Sequence, residues 1–579
     1  MIFSQLVGVA AVNIDGIITS RVLGSDAYSA ICLLSPLISI LILLAGFIST
    51  GEQIVCSQLI GKGSSKGVNA VFSFTLIIGA VISAVFILAC LTMPELMFRV
   101  SGVSVNKNPE IYAAMGEYLK GYLIGVPAVM LVQILAPMAV MDSGKRLVSY
   151  SSLVLCVADV AGDLMNAYLF HGGVFGMGVA TAAATVIQAV MLCAYFVSGK
   201  SHFRFVTEKI PLSQVKEICA GGMPTFIRKL ATTLRDLIIN RINIGVALGT
   251  AAIAARGMQN DLNVLMFCIG LGIGKTLITI TGVYYGAGDR EGLKQLFSEF
   301  VRMSVTISLI VGALVFAFAG SIARLYTSDA EVVELAIFSM RCMAVSLVFD
   351  TLAVAFQNYL QGICQRKMVN LMNFGERFFI PIITALVLGR FWGSKGIMAS
   401  VAVGKLLLVV MMFLVLCVRC KGFPKKQDDF MFLPAEFGGS AGENHYASIR
   451  SMEDVIREST AAEEFCKARG ADEKISELIS LFVEEMAGNI IQHGHKKKKA
   501  PDIAVEYRLC VNENGITITL RDCYEAFDPV EYFNRHIGED GEYGIEVVMK
   551  LANQVSYSNA FNSNNLLIHI GPDAKAGKA

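Results

Sequence analysis

The sequence predicts an all-α polytopic membrane protein, with twelve transmembrane helices in two six-helix repeats. A smaller soluble C-terminal part follows, mixing helix and strand. Three observations lead there. The 579 residues are 54% hydrophobic and only 16% charged, with mean hydropathy +0.60, too apolar for a soluble enzyme. Twelve apolar stretches are long enough for the roughly twenty residues a bilayer crossing needs. They centre near residues 11, 40, 82, 130, 157, 185, 232, 264, 311, 346, 381 and 407. Near residue 425 the composition changes: KGFPKKQDD is a basic-then-acidic linker, and the chain beyond it is charged. The net charge of +1 averages two unlike parts and says nothing about partners. The fourteen cysteines are scattered, several of them in apolar runs (Cys32, Cys90, Cys156, Cys193). They read as small packing residues, and neither disulfides nor a metal site are expected.

The first span contains a carboxylate, Asp15, within VNIDGIITS. A buried carboxylate costs several kcal/mol unless it is paired, protonated or bound to a cation. The run before it is short, which leaves open a start trimmed relative to a full first helix. This span is expected to serve as its own insertion signal. Gly, Ser, Thr and Ala recur through the spans, as close helix packing in lipid requires.

Basic residues set the orientation. Lys62 and Lys66 follow span 2, Lys145 and Arg146 span 4, Lys200, Arg204, Lys209 and Lys216 span 6. Arg290, Lys294 and Arg302 follow span 8, Arg366 and Lys367 span 10, and Arg419, Lys421, Lys425 and Lys426 span 12. The alternate loops hold mainly Arg21, Lys107 and Arg390. The even-numbered loops are therefore expected in the cytoplasm, with both termini, in a multi-pass protein of the cytoplasmic membrane.

VLGSDAYSA (22–30) resembles ALGTAAIAA (247–255), aligning Gly24 with Gly249 at an offset of 225. The same offset aligns Gly61 and Gly63 of SQLIGKG with Gly286 and Gly288 of GVYYGAG. Two independent matches at one offset indicate two six-span halves, inserted in the same orientation because six is even. A pseudo-twofold axis along the membrane normal and a cavity between lobes follow. Asp15 falls opposite Asn240, so the carboxylate belongs to one half alone, which points to function in the first lobe.

Three features together resemble the multidrug and toxic compound extrusion (MATE) family of cation-coupled transporters, over about residues 1–420. They are D-x(8)-G-x-x-A from Asp15, the GKG and GAG turns, and GMGVATAAATV in span 6. In span 5, Asp159 and Asp163 are four residues apart and share a helix face. Like charges so close raise one pKa, and a proton or a bound cation relieves the cost. The resemblance, to the DinF-like type, implies a cation site of Asp15, Asp159, Asp163 and Thr181, for H⁺ or Na⁺. The family often has Asn where this chain has Asp159. Helix capping or structural ion pairs are the plainer reading of these aspartates.

The second lobe carries Arg228, Arg235, Asp236 and Asn240 near one face of span 7. Arg256 and Asp261 lie in span 8, Asp350 in span 10, Glu376 and Arg377 in span 11. Two readings stay open: internal ion pairs that fix helix packing, or a polar substrate wall formed by Arg235, Asp236 and Asn240.

In the tail, VEEMAGNIIQHG (483–494) puts Glu485, Asn489 and His493 on one helical stripe. An Asn oxygen there suits Mg²⁺, and a Glu can orient or deprotonate an acceptor. ITITLRDCYEAFDP is a strand ending in Asp522, and GEYGIEVVMK opens a helix with glycines suited to phosphate. This order resembles the histidine-kinase-like ATPase domain in its anti-sigma-factor form, over about 445–572, and implies an α/β two-layer sandwich. It implies ATP binding by Asn489 (through Mg²⁺), Asp522, Gly541 and Gly544, with Glu485 catalytic. Tyr524 stands where the family's D-x-G has glycine, which crowds a nucleotide and leaves ATP binding and serine/threonine kinase activity open. HKKKKAP (495–501) reads as a solvated loop. The expected layout is 1–200 first lobe, 201–424 second lobe, 425–444 linker, 445–572 ATPase-like domain and 573–579 flexible tail.

The leading reading is an antiporter that exports a small organic solute, such as a drug, by alternating access, regulated by the tail. Its partners are the solute, membrane lipid and a regulatory protein bound by the tail; nucleic acid is not expected. A lipid-linked oligosaccharide flippase, and a membrane sensor with a kinase or partner-switching output, are the alternatives.

Overall fold

The computed structural model describes residues 18–19, 23, 25–95, 98, 109–142, 144–199, 201–207, 210–245, 250–326, 330–434, 437–438, 443–494, 504–513, 515–535, 543–560 and 563–571. Within several helices, and throughout 236–245 and 250–257, only the backbone is described. Asp15, most of the predicted first span and Gly541 lie outside the described residues, as do the side chains of Asp236 and Asn240.

The first lobe comprises α1 (Ser25–Gly61), α2 (Ser65–Thr92), α3 (Pro109–Leu123), α4 (Val126–Met141), α5 (Lys145–Met165) and α6 (Gly173–Val197). The second comprises α7 (Leu212–Gly245), α8 (Thr250–Gly286), α9 (Arg290–Tyr326), α10 (Ala330–Gly362), α11 (Arg366–Phe374) and α12 (Ile380–Arg419). Among the described residues, seven stretches are long and apolar enough to cross a membrane, eight if α3 and α4, bent by 51°, form one crossing. One of the seven, Arg366–Arg419, folds back on itself. Gly393 has φ +55°, and a side chain on Gly396 would run into the carbonyl oxygen of Leu388. In a continuous helix, residues eight apart lie about 12 Å from each other, so α12 is a hairpin. Helices α7 and α8, whose side chains are described only in part, fall outside that count, and twelve crossings remain an expectation.

The outer faces are apolar. Ile77, Val81, Val85 and Leu88 form an exposed stripe on α2, and Leu309, Ile310, Leu314 and Phe318 form one on α9. Such large apolar surfaces mark a face that meets lipid. Inside, α1 packs Leu34, Leu37 and Leu41 against Met115, Tyr118 and Leu119 of α3. The turns repeat as the sequence does. Gly63 (φ +70°) closes α1 and Gly288 (φ +62°) closes α8, 225 residues later.

The tail is a two-layer unit. Its five strands are β1 (Asn444–Ile449), β2 (Val505–Asn512), β3 (Gly515–Asp522), β4 (Gln554–Ala560) and β5 (Ser563–Ile570). They form one antiparallel sheet in the order β1-β2-β3-β5-β4. The helices are α14 (Met452–Lys467), α15 (Glu473–Gly494), α16 (Pro529–Arg535) and α17 (Tyr543–Leu551); the short α13 (Gln427–Phe430) lies in the linker. Alternation puts Ile516, Ile518 and Leu520 with Leu566, Ile568 and Ile570 toward Phe482, Val483 and Met486 of α15. The opposite face of the sheet carries Arg508, Thr519, Arg521 and Ser556. They too are buried, because the membrane part covers that face.

Candidate functional site

Apolar periodicity places α5 in the first lobe, and its two carboxylates come with it. Asp163 is fully buried and Asp159 nearly so. A Cβ on Gly162 would lie 2.9 Å from that of Ala180, so α5 and α6 meet there, and Asp163 and Thr181 each follow the contact by one residue. The Thr181 hydroxyl is buried with no hydrogen-bond partner among the described residues. The α5–α6 corner is fixed by Asn166, in a π-helical turn over Asn166–Phe170. Its Nδ2 donates to the Gly173 carbonyl (2.9 Å) and its Oδ1 accepts from the Gly172 N–H (3.0 Å). Sequence reasoning missed Asn166; an amide three residues beyond Asp163 and just before an H-G-G turn was the available signal.

Glu52 on α1 was also missed. It is fully buried. Thr75 Oγ1 donates to its Oε1 at 2.6 Å, and its Oε2 has no hydrogen-bond partner among the described residues. The neighbouring Gly51 and Gln53 make S-T-G-E-Q read as a polar helix end, which hid a carboxylate inside the lobe.

In the second lobe a π-helical turn, Gly375–Phe379, follows α11 and carries Glu376. Lys405 of α12 pairs with Glu376 (2.8 Å) and with Asp350 of α10. Arg377 Nη2 lies 2.9 Å from Glu376, and Gln357 Nε2 donates to it at 2.5 Å. These charges are internal ion pairs. The predicted contact Arg235 is half-buried on α7. Cys417 and Cys420 stand in a C-x-x-C spacing at the end of α12, and both are free thiols.

In the tail, Glu485 and Asn489 are half-buried on α15. Glu485 presses on the start of α17, where any side chain on Gly544 would strike its carboxylate. Asp522 is buried at the end of β3, and its Oδ1 accepts from Asn564 Nδ2 (2.7 Å) and the Tyr524 N–H (2.8 Å). The residues expected to hold Mg²⁺ and an adenine amine are thus present and ordered. Tyr524 is the obstacle: its ring is buried, and its Cγ lies 2.8 Å from where a Gly494 Cβ would sit. The ring fills space that a glycine at this position would leave open.

One family model, described as MatE, matches residues 1–165 and 224–387. A second, the Histidine kinase-like ATPase domain, matches residues 450–568. The chain is similar to the Multidrug export protein MepA of Staphylococcus aureus, 23% identical over 423 residues, covering 71% of this chain and 91% of the relative. It is also similar to the Probable multidrug resistance protein NorM of Photorhabdus laumondii, 25% identical over 328 residues, covering 53% and 71%. Its fold matches an outward-facing multidrug resistance MATE family transporter of the MOP superfamily with TM-score 0.67 at 19% identity. That match covers 73% of this chain and 94% of the other.

Proposed function

The chain belongs to the MatE family, and on that premise we propose that it exports a small organic solute across the cytoplasmic membrane in exchange for H⁺ or Na⁺. The observation that carries this reading is the pair of buried carboxylates, Asp159 and Asp163, one helical turn apart beside Thr181 in the first lobe. Two such charges are costly in a low-dielectric interior. A proton or cation relieves the cost, and rehydration on one side of the membrane releases it. Ion occupancy is thereby tied to which side the lobes face. Asp15 supplies the third carboxylate of the proposed site.

The ATPase-like tail is a regulatory domain in this reading. If ATP·Mg²⁺ binds, Asn489 holds the metal and Asp522 reads the base, with Tyr524 limiting access. The orientation has independent support. The soluble tail lies against the turns that carry Lys62 and Arg290, and these belong to the basic loops that the charge bias puts in the cytoplasm.

The test uses proteoliposomes with an imposed H⁺ or Na⁺ gradient and a panel of organic cations and metabolites. Asp15→Asn and Asp163→Asn should each cut gradient-driven efflux at least about tenfold while solute binding persists. Efflux unchanged in both variants would sink the coupling site.

A further inference from the structure

The two lobes meet where α1 and α8 end. A side chain on Gly61 would run into the carbonyl oxygen of Val283, and one on Gly286 into that of Gln58. These glycines are repeat partners, so the contact lies on the pseudo-twofold axis. The seam continues inward: Gln53 Nε2 donates to the Lys275 carbonyl at 2.9 Å and bonds Thr279, and Ser57 sits under Gly282. The cytoplasmic ends of the lobes are closed against each other.

The open face of the tail's sheet lies across this seam. Arg521 pairs with Asp289 in the turn after α8, both almost fully buried, and its guanidinium carbon lies 4.5 Å from the centre of the Tyr284 ring. Arg508 Nη1 donates to the Ala287 carbonyl at 3.0 Å. On the first-lobe side, Ser556 abuts Gly63. The gap between Gly61 and Gly63, Val283 and Ala287, and Thr519 and Ser556 is about 10 Å³, room for one water at most. The attachment is unequal. The linker is anchored in the second lobe, with Met431, Phe432 and Leu433 buried against Tyr359, Met368 and Met372. Arg290 Nη1 donates to the Phe437 carbonyl at 3.2 Å.

We propose that the open face of the sheet is a lock. It is carried by the second lobe and closed onto the first, and it holds the cytoplasmic seam shut until the tail lets go. To face the cytoplasm, Gly61 must leave Val283, and Gly63 must leave Ser556 with it. What the lock controls rests on the antiport reading; the lock itself is read without transport.

Hydrogen exchange on the full-length protein in nanodiscs tests it, comparing wild type, R521E, D289R and the swapped pair R521E/D289R. R521E should speed exchange of the amides of 57–63 and 282–289, with those of β3, at least about tenfold. The swap should bring the turn after α1 back to within about threefold of wild type. Asp289 also accepts from the Gly292 N–H at 2.9 Å, so faster exchange at 290–293 in D289R reports that lost cap alone. Exchange in α15 shows whether the tail stays folded; if R521E loosens α15, Arg508→Ala carries the same comparison. Faster exchange in β3 with residues 57–63 unchanged overturns the lock, as does a swap that restores nothing. In parallel efflux assays the unlocked variant should run several-fold faster. A wild type without gradient-driven efflux would sink the antiporter and leave the exchange result standing.

Discussion

Glu52 accepts one hydrogen bond, from Thr75, and no basic side chain pairs with it among the described residues. One oxygen of this carboxylate is held by Thr75 and the other makes no hydrogen bond among the described residues. Glu52→Gln should therefore stay within about 1 kcal/mol of wild type, because the amide keeps the bond. Glu52→Ala should cost about 2–3 kcal/mol through the cavity and the lost bond. Denaturant unfolding of the purified protein measures both; a Gln variant as weak as the Ala variant would mean the group is charged in the closed state. Single residues were legible in the sequence where they broke a pattern. Asp159 and Asp163 interrupt a long apolar run and stand out. Glu52 hides between Gly51 and Gln53, and nothing local marks Lys405 as the partner of both Asp350 and Glu376. Arg521 and Asp289 are 232 residues apart, and no periodicity reaches across that distance.

Among the elements, α1 and α8 carry the mechanical burden. The S-Q-L-I-G-K-G repeat signal was visible because a close backbone crossing admits only glycine. The crossing itself needs both halves folded, so the sequence could offer only the two turns. Gly61→Leu puts a branched side chain against a backbone carbonyl that cannot move aside. The lobes should then fail to close at the cytoplasmic end. Efflux should fall at least about tenfold, since one half of the cycle is lost, while each lobe keeps its own core. Cross-linking between cysteines placed at Ser57 and Gly282 reads the closure directly, and cross-linking at the wild-type rate would count against it. The α5–α6 corner and the hairpin at Gly393 were legible as the gaps between spans 5 and 6 and between spans 11 and 12. What the sequence did not carry is the tightness of each reversal, made by a positive φ at His171 and Gly173 in one and at Gly393 in the other.

At the scale of the whole molecule, a second part of the first lobe lies within electrostatic reach of the tail's Asp528 and Glu531. His202, in the loop after α6, pairs with Asp142 at 2.7 Å. The hydrogen bond to Asp142 raises its pKa, against burial, with Asp142, Asp528 and Glu531 adding attraction. Asp528 at the start of α16 is itself raised, chiefly by burial. The sign follows. Asp142 stays beside His202 when the tail leaves, so only the attraction of Asp528 and Glu531 depends on docking; it is present while His202 is protonated and is lost as pH rises through the raised His202 pKa. Asp528 is charged only above its own raised pKa, so the attraction is complete between the two. Docking on the first lobe should therefore be firmest at mildly acidic pH and weaken on the alkaline side. Exchange at residues 61–65 should rise between pH 6 and pH 8.5 beyond the intrinsic chemical rate. His202→Gln should remove that excess, and an excess that survives the substitution would exclude His202.

Neighbouring rungs of the β3–β5 ladder pair Arg521 with Asn565 and Asp522 with Asn564. Successive residues of a strand point to opposite faces. Asn565 Oδ1 accepts from Arg521 at 2.8 Å on the membrane side, and Asn564 donates to Asp522 at 2.7 Å on the helical side. One peptide unit therefore separates the residue that would read a ligand from the residue that grips the seam. Thermodynamic linkage then acts in both directions. A ligand that draws Asn564 off Asp522 and loosens the grip by some factor must itself bind more weakly, by that same factor, when the grip is tight. Measured on the intact chain, the affinity of the tail for such a ligand would be a gauge of which way the lobes face.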